Sequence, residues 1–372
     1  MSKKFSVLLT VLFCAFIGSM SVISLLLPDK DFLPLENRYP QKPPKLSAES
    51  LSSGKFMEEA EDYVSDHILG RDFWVAAKAW SERLSGKKEN NGVYFAAQDT
   101  LINRVDPPDP AKLDKDMGYV DALVGNVSVP VYFGLIPSAA EIWGDRLPEG
   151  APTAAEQSII DQLYFSTGAS TIDMYGALAP HKDEDIYYRT DHHWTSLGAF
   201  YGANAIFEAL GLDPIDLNDY RKTTVTGQFN GTLFSTSGVR WLPPDQIDTY
   251  VPDQGIKVTS WFKGVPEEGS LYADRWLAEK DKYSYFLGGR QTLCVVEKED
   301  SDGPSVLLIR DSYSDSLTPF LTERFSQVHL FDPRDNLTSV KNYVEDNGID
   351  LVIVLYSFAN FSTDQNLFVL AR

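Results

Sequence analysis

Residues 304–317 read PSVLLIRDSYSDSL and contain the junction that decides the fold. The apolar run 306–309 has the composition of a buried strand, and a helical pattern begins at Ser314, directly after Asp311 and Ser312. A strand that passes straight into a helix presents the Ser312 hydroxyl at the carboxyl edge of a parallel sheet. Backbone N–H groups at the start of that helix can also bind a developing oxyanion.

Strands and helices alternate on both sides of this junction. The pattern predicts strands over residues 129–136, 170–174, 306–309, 328–331 and 351–355, a hairpin over 93–102, and helices over 55–85, 112–124, 154–165, 194–210, 314–325 and 337–345. This alternation is typical of an α/β protein with a mostly parallel sheet covered on both faces. Residues 212–303 are rich in Gly, Pro and aromatic residues with weak periodicity, which predicts an irregular insertion.

The N-terminus indicates export. Lys3 and Lys4 precede residues 5–27, which contain no charge. At about 1.5 Å per residue, this run is long enough to cross a hydrocarbon core of about 30 Å, with the lysines on the cytoplasmic side. We therefore expect a signal anchor over residues 1–27, a Pro-rich tether over 28–54 and one large domain over 55–372, held at the cell membrane outside the cytoplasm. The alternative is a cleaved signal peptide, which would make the protein secreted.

Composition excludes several classes of protein. The chain has 372 residues, 43% of them hydrophobic, so it can bury a sizeable core. Its formal net charge of −20 repels phosphate backbones, and we expect no nucleic-acid partner. Only two cysteines are present, Cys14 and Cys294, which is too few for a disulfide framework or a Cys-rich zinc site.

A second segment contains candidate catalytic residues. Residues 187–195 read YYRTDHHWT and hold two of only five histidines. A serine nucleophile needs an imidazole base, and that imidazole needs a carboxylate on its other nitrogen. Asp191 and a histidine two residues later, before a helix, can supply both. His192 and His193 are adjacent and must point in different directions, so we expect only one of them to act as the base.

Each segment alone also has a plainer interpretation. Asp311 or Ser312 can simply cap the helix that follows, as Asp and Ser often do at such junctions. His192 or His193 can lie on the surface, or join Asp191 in binding a metal ion, although no fourth ligand lies nearby in the sequence. The presence of both segments in one exported α/β chain favours the catalytic interpretation.

The string Asp191-His192-His193-Trp194 resembles the signature of the DHHW protein family. It is also similar to the Asp-x-His-Trp motif of the periplasmic alginate O-acetyltransferases. Other motifs follow in the order that such proteins show: NGVYF at 91–95 with LI at 101–102, IPS at 136–138, GTL at 231–233, GG at 288–289, RDSYS at 310–314 and TPFL at 318–321. The resemblance covers roughly residue 55 to the C-terminus. It implies an SGNH-hydrolase-like three-layer sandwich with a mostly parallel sheet.

The resemblance also implies site residues. Ser312 matches the nucleophile, and Asp191 and His193 match the acid and the base, because Trp194 follows His193 and not His192. The candidate oxyanion donors are the backbone N–H of Ser312 and that of Gly288 or Gly289. Tyr285, Arg310 and His192 are further candidates for the oxyanion or substrate site. No metal and no cofactor is expected.

The function implied is an extracytoplasmic O-acetyltransferase that moves an acetyl group through an acyl-serine to hydroxyls of a cell-envelope polysaccharide or exopolysaccharide. In the resembled systems a membrane-bound O-acyltransferase supplies the acetyl group, so we expect such a partner. Two alternatives stay open. One is a carbohydrate esterase that uses the same triad with water as acceptor. The other is a non-catalytic envelope protein that binds a glycan.

Overall fold

The computed structural model describes residues 3–262 and 264–372. Contacts divide the chain into two compact units. The first comprises the chain up to Asn90 together with Ser235–Trp241, and the second comprises Asn91–Phe234 and Leu242–Arg372.

The first unit is helical. Its elements are α1 (Lys3–Leu26), α2 (Ala48–Ser52), α3 (Lys55–His67), α4 (Arg71–Leu84) and the two-residue strand β1 (Glu89–Asn90). Helix α1 is long and apolar enough, by length and composition, to cross a membrane. The single helix predicted over 55–85 is two helices, because the chain turns at Gly70, whose φ of +68° lies in the left-handed region that glycine tolerates.

The rest of the chain alternates strands and helices. The strands are β2 (Val93–Ala96), β3 (Thr100–Asn103), β4 (Val131–Ile136), β5 (Ser170–Ile172), β6 (Thr223–Phe229), β7 (Asp245–Thr249), β8 (Ile256–Phe262), β9 (Val265–Gly269), β10 (Leu293–Lys298), β11 (Ser305–Arg310), β12 (Gln327–Phe331) and β13 (Leu351–Ser357). The helices are α5 (Pro110–Asn126), α6 (Ala139–Ile142), α7 (Glu156–Ser166), α8 (Met174–Leu178), α9 (Ser196–Ala209), α10 (Thr232–Ser237), α11 (Tyr313–Leu321), α12 (Val340–Asn347) and α13 (Phe358–Phe361).

The main sheet has eight strands in the order β5-β4-β13-β11-β12-β10-β8-β9. The first five are parallel, whereas β10, β8 and β9 pair antiparallel. The prediction of a mostly parallel sheet is therefore wrong, and the sheet is mixed. Part of the reason is local: only two residues separate β8 from β9, and so short a connection permits only antiparallel pairing of these two strands.

The centre of this sheet positions the candidate site. Every residue of β11 and β13 is buried, so these strands are covered on both faces. Helix α9 packs against α11, and α5 packs against α12. Parallel strands end at the same edge of a sheet, so the segments after β4, β11, β12 and β13 emerge together, and Ser312 lies in one of them.

Candidate active site

Ser312 directly follows β11 and occupies the N-cap position of α11, yet its side chain makes no capping hydrogen bond. The neighbouring Asp311 caps the helix instead. Its Oδ1 accepts a hydrogen bond from the backbone N–H of Tyr313 at 3.0 Å. Its Oδ2 accepts from the N–H and hydroxyl of Ser357, at 2.9 and 2.6 Å, and from Asn360 Nδ2 at 2.7 Å. Asp311 thus ties the ends of β11 and β13 together and leaves the Ser312 hydroxyl available.

His193 lies on a tight loop that an antiparallel bridge between Tyr187 and Trp194 closes. Its Nε2 is 2.8 Å from Ser312 Oγ, and its Nδ1 is 2.6 Å from Asp191 Oδ1. A carboxylate can only accept, so Nδ1 carries the proton and Nε2 presents a lone pair to the serine hydroxyl. The structure therefore brings the three residues of the predicted triad into one chain of hydrogen bonds. This arrangement can move a proton from Ser312 to His193.

Asp191 is buried and fully hydrogen-bonded. Oδ1 also accepts from the backbone N–H of His193 at 3.0 Å, and Oδ2 accepts from the N–H and hydroxyl of Thr232 at 2.7 and 3.0 Å. Burial alone would raise the pKa of Asp191, but the two imidazoles and these hydrogen bonds hold it well below its usual range. Gly231 makes this packing possible, because a Cβ there would lie 2.2 Å from the Cβ of Asp191.

The His192 side chain is hydrogen-bonded to Thr232. Its Nδ1 is 2.7 Å from Thr232 Oγ1, whose single proton is already directed at Asp191. Both hydrogen bonds form only if His192 donates from Nδ1, which leaves Nε2 as an acceptor on a side chain that is 35% exposed. Partial burial and the neighbouring His193 lower the pKa of His192 to about 4, so it is neutral at physiological pH.

Tyr283 contacts both His193 and Ser312. Its ring stacks on His193, with centroids 3.8 Å apart and planes 7° apart. Its hydroxyl donates to the carbonyl oxygen of Ser312 at 2.9 Å and also lies 3.1 Å from Ser316 Oγ. Tyr283 could not be singled out from the sequence, because no spacing in the aromatic run 283–286 distinguishes it from its neighbours.

Arg310, a candidate for lining the site, is buried. Its Nη1 lies 3.0 Å from Asp315 Oδ1, and its Nη2 donates to Gln291 Oε1 at 3.0 Å. Burial raises the pKa of Asp315 to about 6, although the guanidinium lowers it. Arg310 thus joins the end of β11 to the first turn of α11. Its contact with a substrate stays a prediction.

The remaining candidates lie in and after the same aromatic run. Tyr285 is buried and stacks on Tyr272, with ring centroids 5.3 Å apart. Gly288 and Gly289 have φ angles of +81° and +96°, which only glycine adopts without strain. The nearest side chains to Gly288 are Ala273 and Arg275, and those nearest to Gly289 are Ser284 and Trp276. The predicted oxyanion role of the two glycines stays a prediction.

The alternative that Asp191, His192 and His193 bind a metal ion can be tested against the hydrogen bonds of these residues. Ligand atoms of Asp191, His192 and His193 lie within 4.8 Å of one another, close enough to share an ion. Both Nδ1 atoms, however, carry protons in the hydrogen-bond network described above. A metal that bound either nitrogen would have to displace that proton and the hydrogen bond it makes. The donor set therefore fits a hydrogen-bonded imidazole pair better than a metal centre.

Comparison with known proteins identifies the class. The model of the DHHW protein family matches residues 117–331, more than half of the chain, so the chain belongs to that family. It is also similar to the probable alginate O-acetylase AlgJ of Pseudomonas putida, with 21% identity over 276 residues. That alignment covers 67% of this chain and 65% of the relative, so the chain spans less than two thirds of the relative's length.

Two solved structures share the fold. A DHHW family protein from Eubacterium siraeum superposes with a TM-score of 0.67 at 25% identity, covering 76% of this chain and 95% of the other. Bacillus cereus PatB1 superposes with a TM-score of 0.63 at 22% identity, covering 73% and 97%. The family resemblance expected from the Asp-His-His-Trp string is confirmed.

Proposed function

We propose that this protein is an extracytoplasmic serine O-acetyltransferase that transfers acetyl groups to hydroxyls of a cell-envelope polysaccharide or exopolysaccharide. The observation that carries the proposal is the hydrogen-bond chain from Ser312 Oγ through His193 to Asp191. The similarity to a probable alginate O-acetylase supports acetyl as the group transferred. A three-layer SGNH-hydrolase-like architecture fits the burial of the central strands on both faces.

The first half-reaction forms an acyl-enzyme. His193 Nε2 takes the hydroxyl proton of Ser312, and Oγ attacks the carbonyl carbon of the acetyl donor. The oxyanion of the tetrahedral intermediate is stabilised by backbone N–H groups, with that of Ser312 as one candidate and that of Gly288 or Gly289 as the other. His193 then returns the proton to the leaving group, and acetyl-Ser312 remains. Asp191 stays ionised and stabilises the imidazolium.

The second half-reaction uses the same groups in reverse. A sugar hydroxyl gives its proton to His193 Nε2 and attacks the acetyl carbonyl, and the proton passes back to Ser312 Oγ as the ester leaves. His192 Nε2, on a side chain that is 35% exposed, can accept a hydrogen bond and so orient a second hydroxyl of the incoming sugar. General-base catalysis contributes roughly 10²–10⁴-fold and one oxyanion donor roughly 10²–10³-fold.

The cellular setting follows from α1. A membrane-spanning α1 would hold residues 55–372, proposed as the catalytic domain, outside the cytoplasm, with 28–54 as the tether. A membrane-bound O-acyltransferase that exports acetyl groups would be the donor partner, and a polysaccharide would be the acceptor. Cleavage after α1 would instead release the protein, and the chemistry would be unchanged.

Intact mass spectrometry on the full chain in detergent tests the proposal. After exposure to an activated acetyl ester, the wild-type protein is expected to gain one acetyl group, and Ser312→Ala none. Ser314→Ala is the matched control, because its hydroxyl makes no hydrogen bond among the described residues. Decay of the adduct that depends on a polysaccharide favours the transferase, and equally fast decay in water alone favours the carbohydrate esterase. A folded protein without adduct or turnover would support the non-catalytic glycan-binding alternative and overturn the proposal.

A further inference from the structure

The turn between α3 and α4 is tied to the end of the apolar helix α1. The backbone N–H of Leu69 donates to Ser24 Oγ at 2.9 Å, and Ser24 is two residues from the last residue of α1. Just beyond the helix, Asp29 Oδ1 accepts a hydrogen bond from the Tyr63 hydroxyl at 2.8 Å and lies 3.8 Å from His67 Nε2. Three residues of the α3–α4 hairpin therefore contact the point where α1 ends.

The hydrogen bond between Leu69 and Ser24 sets the depth of the α3–α4 turn relative to the membrane. With 24 residues, α1 is about 36 Å long, slightly more than a hydrocarbon core of about 30 Å. If α1 spans the membrane, as the proposed function assumes, Ser24 lies at the outer boundary of that core. A backbone atom within hydrogen-bond distance of Ser24 must lie at the same depth, and that atom belongs to Leu69.

Two aromatic side chains close to the turn, Phe73 and Trp74, are suited to the boundary between lipid and water. Phe73 is 66% exposed and Trp74 is 41% exposed, and their rings pack edge to face with centroids 5.2 Å apart. The Trp74 indole N–H donates to the carbonyl oxygen of Leu69 at 3.1 Å, so this donor does not depend on water. Tryptophan and phenylalanine next to a spanning helix are typical of the lipid–water interface.

Four charged side chains next to the turn pair with one another. Arg71 pairs with Glu36, and Arg38 pairs with Asp66 at 2.5 Å. Arg71 also lies 3.4 Å from Asp66, so two guanidinium groups and two carboxylates form one neutral network. A neutral, mutually hydrogen-bonded network is far less costly to bring close to hydrocarbon than an isolated charge.

We propose that residues 68–74, which comprise the α3–α4 turn and the first residues of α4, insert Phe73 and Trp74 into the lipid–water interface beside α1 as a second membrane contact, with the exposed Asp72 carboxylate in the water. The occupant of this exposed apolar surface is thus lipid. The inference rests on the anchor that is part of the proposed function, and it adds that the first unit lies on the membrane surface through Phe73 and Trp74. Two contacts with the bilayer restrain the tilt of the unit more than one flexible tether would.

Fluorescence quenching in lipid nanodiscs tests this with the full chain. An environment-sensitive dye is attached at Phe73→Cys in a Cys14→Ser background, where the remaining Cys294 is buried and unreactive. Lys88→Cys, exposed beyond the far end of α4, is the matched control. The wild-type chain labelled at Cys14, inside α1, reports whether the anchor is inserted. Lipids with a spin label near the headgroup act as the quencher for the dyes at residues 73 and 88. Lipids with a spin label near the end of the acyl chain act as the quencher for the dye at residue 14, which lies near the middle of α1.

The dye at residue 73 is expected to show a blue-shifted emission and to lose most of its intensity, whereas the dye at residue 88 keeps its intensity. A quenched dye at residue 14 with an unquenched dye at residue 73 overturns the inference and leaves the anchor intact. Equal quenching at residues 73 and 88 also overturns it, because the turn would then have no preferred depth. An unquenched dye at residue 14 shows that the anchor itself has failed, and the inference fails with it.

Discussion

The indole N–H of Trp194 donates to the carbonyl oxygen of Tyr313 at 2.9 Å. The residue after His193 is thereby joined to the residue after Ser312. The same N–H lies 3.1 Å from Ser316 Oγ, one turn further along α11. Gly202 leaves the space for the indole, since a Cβ there would lie 2.7 Å from its ring. The tryptophan of the Asp-His-His-Trp string therefore holds the loop that carries His193 against the helix that follows Ser312.

Replacing Trp194 with phenylalanine tests this coupling. The ring remains, but the carbonyl of Tyr313 loses a buried donor, which costs about 1–3 kcal/mol of unfolding free energy. We expect acetylation of Ser312 to fall more than tenfold, because His193 and Ser312 lose their shared support. Trp143→Phe is the control, since it removes a similar bond to the carbonyl of Lys182 at 2.8 Å. Equal losses of activity in the two variants would contradict the prediction.

The two adjacent histidines are expected to behave differently. His193→Ala removes the base and lowers acetyl transfer by roughly 10²–10⁴-fold. His192→Ala leaves acyl-enzyme formation nearly unchanged and slows only the polysaccharide-dependent step, since His192 is hydrogen-bonded to Thr232, whereas His193 is hydrogen-bonded to Ser312. Because the pKa of His192 is about 4, its removal should not alter the pH profile above about pH 5. Stopped-flow rates for the two half-reactions measure this, and the reverse order of losses would make His192 the base.

Thr232→Val removes the hydrogen bond that the Thr232 hydroxyl donates to Asp191 and retains the one that the backbone N–H of residue 232 donates. Asp191 Oδ2 then accepts from one donor of residue 232 instead of two, and His192 Nδ1 loses its partner. We expect transfer to fall about tenfold with little change in folding, in line with one hydrogen bond to a charged group. Thr224→Val, which removes a 2.6 Å hydrogen bond to Asp248, is the control. Unchanged transfer in Thr232→Val would show that the hydroxyl does not support Asp191.

Stability is expected to fall as the pH rises from about 4.5 to about 7, because of Glu156. Burial raises the pKa of this carboxyl from 4.5 to about 7, even though the N–H and hydroxyl of Ser138 bind it. Within that window the folded protein keeps a proton that the unfolded chain has released, so the unfolding free energy decreases with pH. Glu156→Gln mimics the protonated form and should be more stable than wild type at pH 8 by about 3 kcal/mol. Denaturant titrations at pH 5 and pH 8 measure the difference, and the same pH dependence in both proteins would contradict it.

The parts of the site that lie close together in sequence could be predicted. The strand over 306–309, the helix after Ser312 and the Asp191–His193 pair all depend on neighbouring residues, and the structure has each of them. Local signals suffice there because a strand end, a cap and a two-residue spacing are set by adjacent residues.

Long-range contacts could not be predicted in the same way. Tyr283 reaches His193 and Ser312 from an aromatic run with no periodicity, and Thr232 reaches Asp191 from 41 residues away. The individual antiparallel strands over 256–298, within the region expected to be an irregular insertion, could not be located because their sequence mixes charged, aromatic and glycine residues without clear alternation. These strands gain their stability from pairing with β12 and with one another. The local pattern of residues in the sequence does not indicate such pairing.

The separation of 119 residues between His193 and Ser312 has a consequence for how the protein matures. Asp191 and His193 can meet as soon as one loop closes, but Ser312 reaches them only after β11 has joined β13 and β12 within the sheet. Contacts so distant in sequence form late and slowly during folding. A chain that has not yet completed this sheet therefore lacks the contact between Ser312 and His193, and labelling of Ser312 by an acylating probe would report when folding is complete.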